Sequence, residues 1–224
     1  MPAPLVALTA PLVGGAGGGL ALPPHCAPMN KRNSGFTLME LMVTLAVAAV
    51  ILSIGAPSFT EFRRNNRLTG VGNELLGAMQ TARTEAIKRQ VPVAVCPSDN
   101  PGDAGATCSA GAFTGWIVFV DPDNNCVRDA ANPLEVVLRV GATIDPAVNV
   151  RSNGVCASFG GNGFLQDIPT AATTARNTIF CDDRGKALQA GTNLSAARGV
   201  DVSPTGRSRV TREPAEINTW LACP

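Results

Sequence analysis

Two charged features of this chain could carry chemistry, and the first is a single carboxylate. Glu40 lies near the start of a run from Phe36 to Ala56 that is otherwise free of charged side chains. A charge within a membrane-spanning helix costs about 2.5–3.5 kcal/mol on insertion scales, so an acid placed there normally has a partner. We therefore expect Glu40 to neutralise a positive charge. An ordinary membrane anchor with an acid at its edge is the alternative.

The second group is a set of arginines near the C-terminal end. The residues Ser-Pro-Thr before Gly206 fit a β-turn with proline second and glycine fourth. Because side chains alternate along a strand, a strand leaving this turn would present Arg207 and Arg209 on one face. Guanidinium groups bind phosphate oxygens through paired hydrogen bonds, so the pattern indicates either a phosphate-binding patch or an ordinary solvated turn. Two more arginines lie near in sequence, Arg198 and Arg212.

Other kinds of site find little support in the sequence. A histidine-based triad is excluded after residue 35 because the only histidine is His25, and no phosphate-cradling glycine motif joins a strand to a helix. We therefore expect no enzyme and no cofactor. The segment from Asp121 to Asn125 imitates the start of a calcium loop, but Cys126 and Asn132 stand where that loop has glycine and glutamate. A hairpin loop without a metal is the preferred interpretation.

Composition restricts the partners and the compartment. Lys31 and Arg32 account for two of the 18 basic side chains, which leaves sixteen after residue 35 against 17 acidic ones. A nearly neutral chain gives no general argument for nucleic acid, so only a local patch could bind it. Six of the seven cysteines follow residue 35, and an even number in an exported domain is typical of disulfides.

A zinc site would need histidine or a Cys-x-x-Cys pair, and both are missing after residue 35. Six cysteines allow fifteen formal pairings. Proximity suggests one bridge, closing the C-terminal segment suggests a second, and the third takes the two cysteines that are left: Cys96–Cys108, Cys181–Cys223 and Cys126–Cys156.

The elements that position these residues begin with a long helix. Apolar residues recur at helical spacing from Phe59 to Ala86, with charged residues mostly between them. We predict that this helix runs to about Gln90, that Pro92 helps to end it and that Pro57 kinks it. Its first half is apolar all round and reaches the ~20 residues that span a bilayer. Its second half has one apolar stripe that needs a cover.

Short β-type runs separated by turn clusters follow the helix, and strands formed by these runs could cover its apolar stripe. No helix-sized apolar pattern occurs after residue 90, so parallel βαβ units are not expected. We therefore predict an antiparallel β domain that packs on the amphipathic half-helix. The predicted strands are Val91–Cys96, Gly115–Asp121, Leu134–Val140, Val155–Phe159, Asn177–Cys181, Gly199–Val202 and Arg207–Thr211.

The junction Gly35-Phe36-Thr-Leu-Met-Glu40, preceded by Lys31 and Arg32, closely resembles the type IV prepilin motif. The resemblance implies that an inner-membrane prepilin peptidase cuts between Gly35 and Phe36 and N-methylates Phe36. It also implies that Glu40 neutralises the terminal amine of a neighbouring subunit during assembly. Basic residues lie on both sides of the apolar run, so charge does not orient it. The motif places the cut on the cytoplasmic face.

This interpretation divides the chain into four parts. Residues 1–35 are a cleaved leader peptide, and the short basic segment that opens with Met29 makes that methionine the preferred start. Residues 36–57 form the transmembrane and assembly half-helix, and residues 58–90 form the amphipathic half-helix. Residues 91–224 form a disulfide-bonded periplasmic β domain. We expect a single pass through the inner membrane before assembly, then a place in the pilus at the cell surface.

Segments along most of the chain resemble the FimT/FimU–GspH group of minor pilins and pseudopilins, and FimT-type members most. The resemblance implies an α+β fold in which a long N-terminal helix packs against an antiparallel two-sheet β domain. Cys126 and Cys156 are less typical of the group. The matching segments include Asn65–Leu68, Ala82–Ala86, Val93–Pro97, Gly115–Phe119 and Ser203–Arg209.

The Gly-Arg-x-Arg signature is associated with DNA capture by FimT-type pilins during natural transformation. The resemblance therefore implies weak, sequence-independent binding of double-stranded DNA, and because no cluster of aromatic residues accompanies the arginines, base stacking is not expected. Prepilin peptidase and other major and minor pilins are the remaining partners. The alternative is a purely structural FimU- or GspH-like subunit that helps to prime the tip of a pilus or secretion pseudopilus. The implied DNA-binding residues are Gly206, Arg207, Arg209, Arg198 and Arg212.

Overall fold

A 52-residue helix, α1, spans Leu38–Arg89 in the computed structural model of the chain, which describes residues 35–109, 114–141, 143–169 and 174–223. The backbone N–H of Glu40 donates to Thr37 Oγ1 at 3.2 Å and so caps the first turn. The helix ends where Gln90 takes a φ of 58°, close to the predicted end. The predictions for residues 1–34, including a start at Met29, lie outside the described residues.

The first part of α1 carries its large apolar side chains on the outside. From Phe36 to Leu52 their exposed fractions lie between 53% and 80%. Within the described residues no single helix is both long and apolar enough to cross a membrane, but the consecutive segments Leu38–Ser53 and Ser58–Arg89 meet that requirement together. The chain divides into two units, residues 1–48 and 49–224, and the second contains the β domain.

The strands of the β domain form two antiparallel sheets. In chain order they are β1 (Val93–Ser98), β2 (Gly115–Val120), β3 (Val137–Val140), β4 (Asn149–Ser152), β5 (Ala157–Phe159), β6 (Leu165–Gln166), β7 (Asn177–Cys181), β8 (Arg198–Val202) and β9 (Ser208–Thr211). Sheet A has the order β3-β2-β1-β5-β6, and sheet B has the order β4-β7-β8-β9. A short helix, α2 (Pro214–Ile217), follows sheet B. The predicted fold class, a long helix with two antiparallel sheets, is confirmed.

The seven predicted strands correspond to seven of these strands, with shifts of a few residues at their ends. The third begins at Val137 rather than Leu134, because Glu135 N–H donates to the carbonyl of Asn132 in a turn. Strands β4 and β6 were not predicted. Strand β4 reads Asn-Val-Arg-Ser, with a single apolar residue, and β6 has only two residues, so neither carries a period-2 signal.

The core lies between the apolar stripe of α1 and the inner faces of both sheets. Large side chains that are fully buried, such as Leu68, Phe159 and Phe180, each stabilise the fold by about 1.5–3 kcal/mol. From α1 the core contains Leu68, Leu75, Ala78, Met79, Ala82 and Ala86. Sheet A adds Val93, Val95, Trp116, Val118, Ala157 and Phe159, and sheet B adds Phe180, Val200 and Val202.

Segments of the chain cover the outer face of each sheet, and disulfides hold these segments in place. The cover of sheet A is fixed by Cys96–Cys108 and Cys126–Cys156, with Cα–Cα distances of 5.6 and 6.1 Å. On sheet B, Ile179 packs under Ile217 of α2, and Cys181–Cys223 closes the C-terminal segment with a Cα–Cα distance of 6.0 Å. These are the three pairs that the sequence suggested, and each contributes about 2–4 kcal/mol to stability.

Asp121 makes the stability of the domain depend on pH. It is fully buried after β2, and its carboxylate accepts hydrogen bonds from Asn125 N–H (3.1 Å) and Cys126 N–H (2.9 Å). Burial, helped by Asp123, raises the pKa of Asp121 from 3.8 to about 6. Because the folded chain holds this proton more tightly, the stabilising contribution is fully present below pH 3.8 and is lost as the pH rises through 6.

We expect the free energy of unfolding to fall by about 2–3 kcal/mol across that range on account of Asp121. Urea denaturation between pH 4 and pH 7 measures the effect, and Asp121→Asn removes most of it. The exposed Asp103, replaced by asparagine, is the control and leaves the profile as it is in the wild type. An Asp121→Asn protein with the wild-type pH profile would show that this carboxyl is not the cause.

Candidate functional site

The turn between β8 and β9 has the geometry predicted for Ser203–Gly206. Gly206 N–H donates to the Ser203 carbonyl at 2.8 Å, and Ser203 N–H donates to the Arg207 carbonyl at 2.9 Å. Arg207 N–H donates in turn to Ser203 Oγ at 3.1 Å. The last residue pair of the β8–β9 ladder is Val202 and Ser208. The hydrogen bond from Ser203 N–H to the Arg207 carbonyl continues this pairing by one residue. The backbone that carries Arg207 is therefore well ordered by hydrogen bonds.

Arg83 of α1 holds this turn against the rest of the domain. Its Nε donates to the carbonyl of Gly163 at 2.9 Å, and its Nη2 donates to the carbonyl of Thr205 at 3.2 Å. Gly206 has a φ of +76°, and a Cβ there would lie 2.1 Å from the Gly163 oxygen. Only glycine fits this contact, so Gly206 contributes to the candidate site through its backbone.

Gly206→Ala is expected to destabilise the protein by about 1–3 kcal/mol, because the left-handed conformation and the clash with Gly163 are both costly. Thermal or urea denaturation measures the loss. Gly105→Ala is the matched control, since Gly105 lies in an exposed loop with nothing within 4 Å of its Cβ position. Equal stability of the two variants would mean that the turn does not pack against Gly163 in solution.

Arg207 and Arg209 lie on the outer face of sheet B, as the alternation predicted. Val210 packs against the core, so Arg209 points the other way, and Arg207 lies two residues before it. Arg207 is exposed, and no described residue makes an ion pair or hydrogen bond with its guanidinium. It is therefore available to an external anion.

Arg209 is also exposed, but two carboxylates bind its guanidinium. Its Nη2 lies 2.8 Å from Glu216 Oε1, and its Nε lies 3.2 Å from Asp201 Oδ2. The hydrogen bond to Glu216, followed by that to Asp201, raises the pKa of Arg209, and the pKa of Glu216 is lowered by the same contact. A phosphate group that approaches Arg209 must compete with both carboxylates.

The prediction that Arg198 faces DNA is wrong, because its side chain is only 3% exposed. It pairs with Phe180 in the sheet register and so lies on the inner face, against α1. Its Nη1 donates to the carbonyl of Ala196 at 2.8 Å, and its Nε donates to Thr69 Oγ1 at 3.2 Å. Burial lowers the pKa of Arg198 to about 10, so it keeps its charge at pH 7. Its role is to join β8 to the helix.

Arg212 does not belong to the exposed patch either, and that part of the prediction is also wrong. Its guanidinium is half-buried and donates to the carbonyl of Ser195 from Nη2 at 3.2 Å and to the side-chain oxygen of Gln189. Burial lowers the pKa of Arg212. It fixes the chain before β8 and leaves Arg207 and Arg209 as the exposed pair.

Trp220, eleven residues after Arg209 in the sequence, joins these two arginines on the outer face of sheet B. The C-terminal segment crosses that face, and the Trp220 ring lies so close to Gly199 that a Cβ there would be 2.3 Å from it. Gly199 pairs with Thr211, which is two residues from Arg209 on β9. No cluster of aromatic residues accompanies the arginines in the sequence, but the fold of the C-terminal segment places one ring on their face of the sheet.

The second predicted group lies at the start of α1. Phe36 is exposed, and Glu40 is exposed without an ion pair to any other described residue. No group of three or more histidine, cysteine, aspartate or glutamate side chains within the described ranges is arranged to hold a metal ion. The candidate sites are therefore an unpaired acid in an exposed apolar helix and two arginines on a sheet face.

Similarity to known proteins identifies the family. The family described as Type II transport protein GspH matches residues 71–206, and the prokaryotic N-terminal methylation motif matches residues 30–56. A fimbrial protein of Pseudomonas aeruginosa is 29% identical over 79 residues, which are 34% of this chain and 51% of that protein. The chain thus spans about half the length of that relative.

Two further similarities cover more of the chain. The type IV major fimbrial protein FimA of Dichelobacter nodosus is 25% identical over 150 residues, 66% of this chain and 85% of that protein. The crystal structure of the type IV minor pilin FimU of Pseudomonas aeruginosa aligns over 69% of this chain and 94% of its own, with 18% identity and a TM-score of 0.43. Because the GspH match alone covers more than half of the sequence, the chain belongs to the GspH family of type IV pilin-like proteins.

Proposed function

We propose that the chain is a filament subunit made by cleavage between Gly35 and Phe36. Prepilin peptidase removes residues 1–35 and N-methylates Phe36. Until assembly the protein stays in the inner membrane, with the β domain in the periplasm. During assembly, Glu40 pairs with the terminal amine of a neighbouring pilin, and the subunit then reaches the cell surface.

The exposed apolar start of α1 supports this proposal. Exposed apolar surface costs about 25 cal/mol per Å² in water, and the side chains from Phe36 to Leu52 form a continuous exposed stretch. Lipid can cover it before assembly, and the helices of neighbouring subunits can cover it afterwards. Glu40 is then the one charge in the stretch, and pairing it with an amine offsets the cost of both charges in an apolar setting.

The finer part of the proposal is that the subunit binds double-stranded DNA for natural transformation, through Arg207 and Arg209. The observation that carries it is the exposed guanidinium of Arg207, which no described residue binds, on a turn that Arg83 holds in place. With Arg198 and Arg212 occupied inside the domain, we count two phosphate contacts. Binding is therefore weak, independent of sequence and sensitive to salt.

A salt titration tests the DNA-binding part. The processed full-length protein in detergent should retard a labelled duplex at low salt, and log K against log salt should fall with a slope of about −2, since each phosphate contact contributes ~−0.9. A complete lack of retardation at low salt would contradict DNA binding while leaving the filament proposal intact.

A purely structural subunit of a pilus or secretion pseudopilus is the second candidate. The ion pairs of Arg209 with Asp201 and Glu216 favour it, because one of the two exposed arginines is then already bound within the protein itself. A deletion strain separates the two candidates. Loss of transformation with normal piliation supports DNA binding, whereas loss of piliation or secretion with unchanged uptake per pilus supports the structural role.

A further inference from the structure

A cavity of about 170 Å³ opens on the outer face of sheet B, the same face that carries Arg207 and Arg209. Strand β7 and the C-terminal segment contribute most of its walls, which combine side-chain amides with an indole and aliphatic groups. Such a cavity suits a flat ring with polar edges. Its lining residues are Asn153, Asn177, Ile179, Thr219, Trp220 and Leu221.

We propose that this cavity receives an unpaired nucleobase, so that the face binds single-stranded DNA more tightly than duplex. This inference rests on the proposed DNA binding and names the form of DNA that the site prefers. It differs from the sequence expectation, in which phosphate contacts alone bind a duplex.

The sheet register places the cavity within reach of the exposed arginines. Asn177 pairs with Asp201, and Asp201 pairs with Arg209. Adjacent strands lie about 4.8 Å apart, so the Cα atoms of Asn177 and Arg209 are separated by roughly 10 Å across the sheet. A long arginine side chain spans much of that distance.

A third exposed arginine lies on the opposite side of the cavity. Arg151 of β4 pairs with Ile179, one of the cavity residues, and shares its outward orientation. It is exposed, and no described residue binds its guanidinium. A base in the cavity would therefore have one guanidinium on each side, where the two phosphates that flank a nucleotide in a strand can reach them.

Trp220 is held in place beside the cavity by several contacts. Its ring rests on Gly199, its carbonyl accepts a hydrogen bond from Lys186 Nζ at 2.9 Å, and Cys181–Cys223 ties down the residues that follow it. Stacking of one base on an aromatic side chain increases affinity by about five- to hundredfold. An ordered ring loses little freedom when the base binds.

The charges on this face favour a single strand over a duplex. Asp201 and Glu216 neutralise much of the attraction that Arg209 would offer to phosphates. A duplex presents mainly its phosphates to a protein surface and keeps its base faces stacked inside. A single strand presents the same phosphates together with free base faces, so it alone can use the cavity.

Fluorescence anisotropy tests the preference directly. Processed full-length protein in detergent is titrated into a labelled thymidine oligonucleotide and into the duplex made from it. We expect the single strand to bind at least fivefold more tightly. An oligonucleotide that carries 5-iododeoxyuridine should crosslink on irradiation within residues 214–223, at Trp220 or Leu221, as mapped by mass spectrometry.

Two variants complete the test. Trp220→Leu should remove the preference for the single strand, but Trp220 also packs against Gly199, so Arg151→Gln is the variant that spares the core. It should weaken single-strand binding about threefold and leave duplex binding unchanged. Equal affinity for both forms, with no crosslink in residues 214–223, would overturn the inference and leave the proposed function standing. Absence of binding to either form would overturn both.

Discussion

Glu40→Ala is expected to abolish incorporation of the subunit into filaments while cleavage after Gly35 continues. In the proposed assembly, the carboxylate of Glu40 balances the amine that cleavage creates at Phe36 of a neighbouring subunit. Without it, an unpaired ammonium would lie among apolar helices, and leaving a buried charge unpaired costs about 3–5 kcal/mol. Immunoblotting of the sheared filament fraction, compared with the membrane fraction, measures incorporation.

Two companion variants separate the effect of charge from that of helix packing. Glu40→Gln keeps the shape of the side chain and removes its charge, so it should fail to assemble as Glu40→Ala does. Thr44→Ala is the matched control, because Thr44 lies one turn later and its hydroxyl donates to the carbonyl of Leu41 within the same helix. Wild-type incorporation of the Glu40→Gln subunit would contradict the pairing.

The double variant Arg207→Gln/Arg209→Gln is expected to abolish duplex retention at physiological salt and to bring the slope of log K against log salt close to zero. Both guanidiniums are exposed on one face, and no other described arginine of the predicted patch reaches solvent to the same degree. Gel retardation at several salt concentrations measures the change. Arg63→Gln is the control, since Arg63 is exposed on α1 and no described residue pairs with it. Unchanged retention by the double variant, with an unaltered melting curve, would show that these two arginines do not bind the duplex.

Removal of the neighbouring carboxylates should increase the affinity for duplex DNA. Asp201→Asn and Glu216→Gln free Arg209 and reduce repulsion of phosphates, and an exposed ion pair is worth up to about 1 kcal/mol. Each substitution should therefore increase duplex affinity by up to about fivefold. The exposed Asp103→Asn variant controls for net charge. A decrease in affinity would show that Arg209 does not bind phosphate.

Local periodicity was sufficient to predict the helix and most of the strands. The stripe from Phe59 to Ala86 reaches the core, and the runs around Val93 and Ile117 form paired strands because their side chains satisfy both burial and alternation. The same alternation already contained the signal for Arg198, which is in phase with Val200 and Val202 and therefore lies inside. Its nearness in sequence to Arg207 was the misleading feature.

The contacts that complete the candidate site depend on how the chain folds back on itself, and no local pattern predicts them. Arg83 reaches Thr205 across 122 positions, and Glu216 reaches Arg209 only because α2 turns back over sheet B. Trp220 arrives on the same face because Cys223 is bonded to Cys181. The charge balance of the patch and the cavity beside it depend on this return of the C-terminal segment.

The mass of the mature N-terminus shows whether a cut after Gly35 creates the chain end that Glu40 neutralises. Protein purified from filaments of cells that contain prepilin peptidase, and from cells without it, is measured intact and after fragmentation. We expect that filament protein begins with a methylated Phe36 and that the peptidase-deficient cells accumulate an uncut precursor outside filaments. Filament protein that retains residues before Phe36 would contradict it.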